Sequence, residues 1–386
     1  MTSPTIRRRW VRPALPVPAV LMAAMTSACT SAPDRTTAPA SPQASDIDGL
    51  WTLSLWLGTA VWLAVMALLA VPLLRSRRQR RQDADASPET HERPTSSNGD
   101  EHGRSGWAAP GAVIDEPIAA AEPDTREAAQ ADERVRSRLL WIGGIIGPAV
   151  ILLLLLVASG RVGASTAHIE RPGELVIDVT GHMFWWEVHY PDHDVTTANE
   201  IHVPVDRPVR LRLHSEDVIH SFWIPRMHGK IDTIPGQENW LSFEPTETGT
   251  FRGACAEFCG IAHAQMVAWL EVQPEEDFDA WIEQQAADAA PPEADSAQLG
   301  ERVFIEAGCA ACHAVRGTEA IGGVGPDLTH LASRQTLASG IVPNDREHLE
   351  ELIIDPWAVK PGIRMPPTQL SSEEIEALLD YLETLE

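Results

Sequence analysis

Two nearly unbroken apolar stretches, residues 50–74 and 139–158, carry no formal charge. A helix needs ~20 residues to cross a bilayer, so both are long enough to span one, and a soluble core helix is the weaker reading. Arg75, Arg77, Arg78, Arg80 and Arg81 follow the first stretch; Arg134, Arg136 and Arg138 precede the second. Basic residues mark the cytoplasmic side. The pattern predicts a transmembrane helix at 47–75, a cytoplasmic loop at 76–137 and a second helix at 138–160, with both ends outside. The loop is rich in Asp, Glu, Pro, Ser and Ala, and reads as largely disordered.

From residue 174 the pattern shortens. Strand candidates fall at 175–180, 184–189, 209–213, 218–223, 239–243 and 266–272, each bounded by turn residues. Val209, Leu211 and Leu213 alternate with Arg210, Arg212 and His214, the period of a half-buried strand. So many short strands predict a sandwich or small barrel over 170–285. An Ala-, Pro- and acid-rich linker follows at 286–296, and a helical segment at 297–386. There, Leu299, Val303 and Phe304 share one helix face, and Ser371 and Glu374 read as a cap before Ile375, Leu378, Leu379 and Leu382.

Export is written at the start of the chain. Arg7, Arg8 and Arg9 precede an apolar run at 14–25 and small residues ahead of Cys29, so 1–29 reads as a leader. Cys29 is the expected lipid attachment point, with ordinary cleavage as the alternative. Residues 30–46 read as a Ser/Pro/Thr/Ala tether. The formal net charge of -25 excludes nucleic acid as a partner, because a phosphate backbone needs a basic face.

Chemistry concentrates in two places. Cys255, Cys259, His263 and Met266 are spaced Cys-x3-Cys-x3-His-x2-Met. Thiolate, thioether and imidazole donors favour copper over oxygen-loving metals. An upstream imidazole is needed, and His220 at a strand end is the candidate. The second cysteine allows two sulfurs to bridge two coppers, with Met266 and a backbone carbonyl, that of Glu257, as weak ligands. A Cys255–Cys259 disulfide and a zinc site are the alternatives; both leave Met266 unexplained. Further on, Cys309, Cys312 and His313 form a Cys-x2-Cys-His haem c attachment site. Met365, in a Pro-flanked loop, is the expected sixth iron ligand, with His330 and His348 as alternatives. The five cysteines are then divided among lipid, copper and haem.

At these residues the chain resembles the copper-A domain of cytochrome c oxidase subunit II. The likeness runs from about 47 to 285 and includes 181–186 (GHMFWW), 220–225 (HSFWIP), Lys230, Asp232, Gly236 and the copper loop. It implies a multidomain membrane protein. Its parts would be a two-helix transmembrane hairpin, an all-β cupredoxin-like Greek-key barrel and an all-α class I cytochrome c domain, as in caa3-type oxidases. The resemblance further implies binuclear copper held by His220, Cys255, Glu257, Cys259, His263 and Met266. It also implies magnesium on the Glu257 carboxylate, shared with subunit I, and electron-transfer aromatics at Phe184, Trp185 and Trp186. Phe184 stands where the family carries the Trp that receives electrons from soluble cytochrome c, so the tethered haem is the expected donor.

The implied function is relay. Electrons would come from a cytochrome c or a quinol–cytochrome c reductase, through haem and copper, to subunit I. Oxygen reduction and proton translocation would occur there, with subunit III alongside, at the outer face of the plasma membrane. Two other readings remain: the electron-donating subunit of a copper-A nitric oxide reductase, and a free-standing copper-binding protein.

Overall fold

The computed structural model describes residues 38–85, 123–167 and 171–386; the predicted leader and Cys29 lie outside the described residues. Trp51–Gly160 form one compact unit, and the rest of the chain another.

The first unit takes most of helix α1 (Pro42–Asp85), helix α2 (Pro123–Trp141), a π segment (Ile142–Ile146) and most of helix α3 (Gly147–Thr166). The π segment has a local cause. Pro148 has no N–H, so its bond to the preceding turn is missing, and the Gly147 amide reaches back to Ile142 O instead. Two stretches, Pro42–Gln82 and Gln130–Thr166, are long and apolar enough to cross a membrane, and Leu68, Leu73, Leu152 and Leu156 lie exposed on them. The loop expected to be disordered over 76–137 is corrected at both ends: 76–85 and 123–137 are helical. Runs rich in Arg, Gln, Ala and Glu are good helix formers and extend a turn already nucleated by the apolar segment.

In the second unit, ten strands form two five-stranded sheets. They are β1 Leu175–His182, β2 Trp185–Tyr190, β3 Val195–Ala198, β4 Glu200–Pro204, β5 Val209–Ser215, β6 His220–Trp223, β7 Ile231–Thr233, β8 Asn239–Phe243, β9 Gly249–Cys255 and β10 Val267–Gln273. The sheet orders are β3-β2-β1-β5-β8 and β4-β10-β9-β6-β7. Burial alternates strictly along β1 and β5, so Ile177, Val179, Leu211 and Leu213 fill the space between the sheets with no exposure. Helix α4 (Glu275–Gln285) closes one end with Phe278 and Ile282 buried.

The expected tether at 30–46 is corrected where it is described. Ala40 exchanges backbone hydrogen bonds with Arg226 and Thr246, and Ser41 donates to Met227 O. Ser41 also caps α1, accepting from the Ala44 amide. A small residue fits flush against the barrel edge, and a capping hydroxyl starts the helix there.

The last ninety or so residues are helical: α5 (Asp295–Glu306), α6 (Arg346–Ile354), α7 (Pro356–Val359) and α8 (Ser372–Leu382). Val303 and Phe304 of α5 pack on Leu378, Leu379 and Tyr381 of α8. The predicted cap forms as a reciprocal pair between Ser371 and Glu374.

Candidate metal centres

β9 ends at Cys255 and β10 begins at Val267, just after Met266, so the Cys-His-Met loop is a hairpin connection pinned by the Cys255 amide on Met266 O at 2.9 Å. β6 runs beside β9, with Phe222 opposite Cys255. Two residues earlier, His220 therefore arrives alongside the same sulfur. The ligating atoms of His220, Cys255 and Cys259 lie within 4.8 Å of one another.

The remaining predicted donors complete the cluster. Cys255 Sγ stands 3.9 Å from Cys259 Sγ and 3.2 Å from Glu257 O; both thiols are free. Cys259 Sγ stands 3.6 Å from His263 Nδ1 and 3.9 Å from Met266 Sδ. His220 Nδ1 is 3.9 Å from Cys255 Sγ. Two sulfurs at the centre, an imidazole beyond each, and a thioether and a carbonyl at the ends make a donor set suited to a soft metal pair. The Glu257 side chain is exposed.

Electrostatics favour a thiolate here. The bond from Cys259, helped by His220, holds the Cys255 thiol well below its usual range, and the same pairing pushes Cys259 up. Burial alone would depress the His220 imidazole, but its bonds to Cys255 and Asp217 outweigh that and raise it. Asp217 was not anticipated from the sequence. Its Oδ1 accepts from His220 Nε2 at 2.8 Å, so Nδ1 is the nitrogen left for a metal.

Phe184, Trp185 and Trp186 are all buried. Trp185 stacks on His182 with centroids 4.4 Å apart, and Trp186 meets Phe222 edge-on at 5.1 Å. A Cβ on Gly260 would meet the Phe184 ring at 2.9 Å, so this ring packs directly against the copper loop.

In the helical part, Gly308 takes a left-handed φ of 84° and turns the chain from α5 into the Cys309–Ala311 turn. His313 donates from Nδ1 to Pro326 O at 2.7 Å, which leaves Nε2 free for iron. Burial lowers its pKa, keeping the ring neutral as a ligand must be. The backbone of Gly322 passes close to Cys312, and Gly325 passes close to the His313 ring; a Cβ at either would fall 2.5 to 2.7 Å from them. Ile321 and Val324 expose apolar side chains in a segment whose Val324 and Gly325 amides donate to Cys312 O, and Met365 packs against the helical core. Free paired thiols, a single-sided imidazole and an apolar wall fit a covalent porphyrin. His330 is excluded as the ligand: both ring nitrogens meet carbonyls, of Glu386 and Ala287. His348, half-buried in the first turn of α6, is held by Asp345 at 2.7 Å.

Comparison with known proteins agrees with this two-part construction. Residues 194–272 match the family described as Cytochrome C oxidase subunit II, periplasmic domain, and 297–386 match Cytochrome c. Cytochrome c oxidase subunit 2 of Alkalihalophilus pseudofirmus is 41% identical over 226 residues, spanning 58% of this chain and 63% of that one. Cytochrome c oxidase subunit 2 of Bacillus sp. strain PS3 is 34% identical over 257 residues, spanning 62% and 72%. The crystal structure of the periplasmic domain of cytochrome oxidase subunit II from Bradyrhizobium japonicum shares 32% identity at a TM-score of 0.30. It covers 30% of this chain and 96% of that one. The fold and the two clusters define a chain with two apolar helices of membrane-spanning length, a cupredoxin-like domain and a cytochrome c domain. The chain belongs to the cytochrome c oxidase subunit 2 family.

Proposed function

We propose that this chain is the fused subunit II of a caa3-type cytochrome c oxidase. It relays electrons from a cytochrome c or a quinol–cytochrome c reductase to subunit I, where oxygen is reduced and protons are translocated. His220, Cys255, Cys259, His263 and Met266, with the Glu257 carbonyl, hold binuclear copper. Cys309 and Cys312 would carry haem c covalently, and His313 and Met365 would hold its iron. Both groups supply one-electron chemistry at protein-saturated metals, which suits relay rather than bond making. Asp217 fixes the His220 tautomer, and the buried β6, β9 and β10 backbones keep the donors rigid between oxidation states. The exposed Glu257 carboxylate is available to a magnesium ion shared with subunit I, and Phe184, Trp185 and Trp186 line the way into the copper domain. Both apolar helices cross the plasma membrane, leaving the metal domains on the extracytoplasmic side, with subunits I and III as neighbours and Cys29 lipidated.

The observation that carries this reading is the convergence of two free thiols, two imidazoles and a thioether, each 3.6 to 3.9 Å from a neighbouring sulfur. Metal analysis and EPR of the purified chain test it. The expected result is about two coppers and one haem per chain, with mixed-valence copper hyperfine structure. Replacing Cys255 and Cys259 together by Ser should abolish the copper signal and leave haem intact. Copper retained in that variant would sink the proposal.

A further inference from the structure

Among the contacts between the helical domain and the copper domain, two side chains of the helical domain meet on one carbonyl. Phe184 O, at the turn between β1 and β2, accepts from Ser339 Oγ at 2.8 Å and from Lys360 Nζ at 2.6 Å. Lys360 Nζ also donates to Ala338 O at 3.2 Å. The side chain is 1% exposed, and both hydrogen-bond acceptors are neutral carbonyls. Desolvation pushes its pKa down to about 7, against the pull of the nearby Cys259 sulfur.

Burying an ammonium without a carboxylate is costly, and here the cost is offset by hydrogen bonds to two carbonyls that an apolar side chain would leave unpaired. The chain also prefers the other cation, with 28 arginines and two lysines. Compactness explains the choice: an ammonium is a point donor that fits between two carbonyls, whereas a planar guanidinium does not.

A second observation lies in the backbone of the turn that Lys360 meets. Ala338, Ser339 and Gly340 all take left-handed φ, at 53°, 63° and 77°. Two consecutive non-glycine residues in that region are strained, and each of the three makes a contact at the interface. Ala338 O receives Lys360, Ser339 Oγ reaches Phe184 O, and Gly340 O receives Trp269 Nε1 at 3.4 Å. Beside them, Gly362 lies so close to Ile261 of the copper loop that a Cβ would come within 2.0 Å of it.

We infer that Lys360 and the turn Ala338, Ser339 and Gly340 form a latch that holds the haem-bearing domain in one fixed position on Phe184, with Lys360 as a positioning residue for transfer between the two metal centres. The inference rests on the relay reading for its purpose, though not for its geometry. Latching brings the loop that carries Met365 onto the loop that carries Cys259 and His263, so transfer does not wait for a domain to diffuse on its tether.

The test uses full-length chain carrying Lys360→Met or Ser339→Ala, read first by amide hydrogen exchange. The Gln335 and Thr336 amides donate across the interface to Glu200, so they report docking directly. In Lys360→Met they should exchange about tenfold faster, while amides in α8 keep wild-type protection. Haem-to-copper transfer after flash reduction should slow and become dependent on solvent viscosity, while wild-type transfer should show no such dependence. Wild-type exchange at 335 and 336 in that variant overturns the latch. If Lys360→Met also loosens α8, Ser339→Ala decides: faster exchange there supports the latch, and unchanged exchange overturns it. Faster exchange in the variants of a chain whose wild-type haem never reduces copper keeps the latch and removes the relay.

Discussion

Asp217 decides which face of the His220 ring is offered to a metal, although it donates no ligand atom itself. Its two oxygens are committed to different donors, Oδ1 to His220 Nε2 at 2.8 Å and Oδ2 to the Met183 amide at 2.7 Å. Burial opposes its ionisation, but bonds from His220 and from the Met183 and Val218 amides keep its pKa below the usual carboxylate value. Asn at 217 can satisfy only one of those donors, because its amino group faces the other. Asp217→Asn should therefore weaken copper binding by about 10- to 100-fold, measured by competition with a chelator, with haem content unchanged. Equal affinity would show that His220 is oriented by packing alone. Gly181 supplies part of that packing: a Cβ there would sit 2.8 Å from His220 Cδ2. The clustering of Cys255, Cys259, His263 and Met266 was legible in the sequence because soft side chains are rare and their spacing is short. Asp217 was not, since an acid beside Glu216 in a turn reads as solvated until the strands are placed.

Among the elements, the crossing of α5 and α8 shows how one position can set an approach distance. At Gly300 a Cβ would stand 1.9 Å from Ala377 O, backbone that cannot move aside. Gly300→Ala should cost the haem domain about 3 kcal/mol, seen as a lower thermal midpoint in haem absorbance while copper features melt as before. A second tie between helices is electrostatic. Arg346 of α6 reaches Glu376, Asp380 and Glu383 at 2.6 to 2.9 Å, and all four side chains are at least a third exposed. Arg346→Ala should cost no more than about 1 kcal/mol, and less in high salt. The Asp380 pKa is lowered by Ser296 and then by Arg346. Its contribution is therefore present above the unfolded carboxylate value of about 4 and is lost as pH falls through the lower folded value. The difference between Arg346→Ala and wild type should vanish in that acid window. Six strands could be read as short β-type runs bounded by turn residues. β3, β4, β7 and β9 could not, because they are short or carry Thr, Pro and Gly, and only their partners in the sheets make them strands. The capping pair at Ser371 was readable because it is local.

At the scale of the whole molecule, the order of parts was written in composition, but the contact between the copper and haem domains was not. Docking depends on atoms that no motif marks: backbone carbonyls, a left-handed turn, and Glu200 at the head of β4. Glu200 is buried, and its carboxylate accepts the Gln335 amide at 3.1 Å, the Thr336 amide at 2.8 Å and Thr336 Oγ1 at 2.7 Å. Charge-assisted bonds of this kind are stronger than neutral ones. A glutamine offers one acceptor oxygen and turns an amino group toward the remaining donors. Glu200→Gln should therefore weaken docking by about 1–3 kcal/mol without touching either metal cluster. Differential scanning calorimetry of the full-length chain should show the less stable domain melting earlier, with copper and haem spectra intact before the transition. Burial also predicts the salt response. The Arg346 difference should shrink at about 1 M salt, while the Glu200 difference should persist, because counterions cannot reach a desolvated carboxylate. If both differences fade together, the domain contact is a solvated surface pairing, and the Phe184 carbonyl holds the haem domain without help from β4.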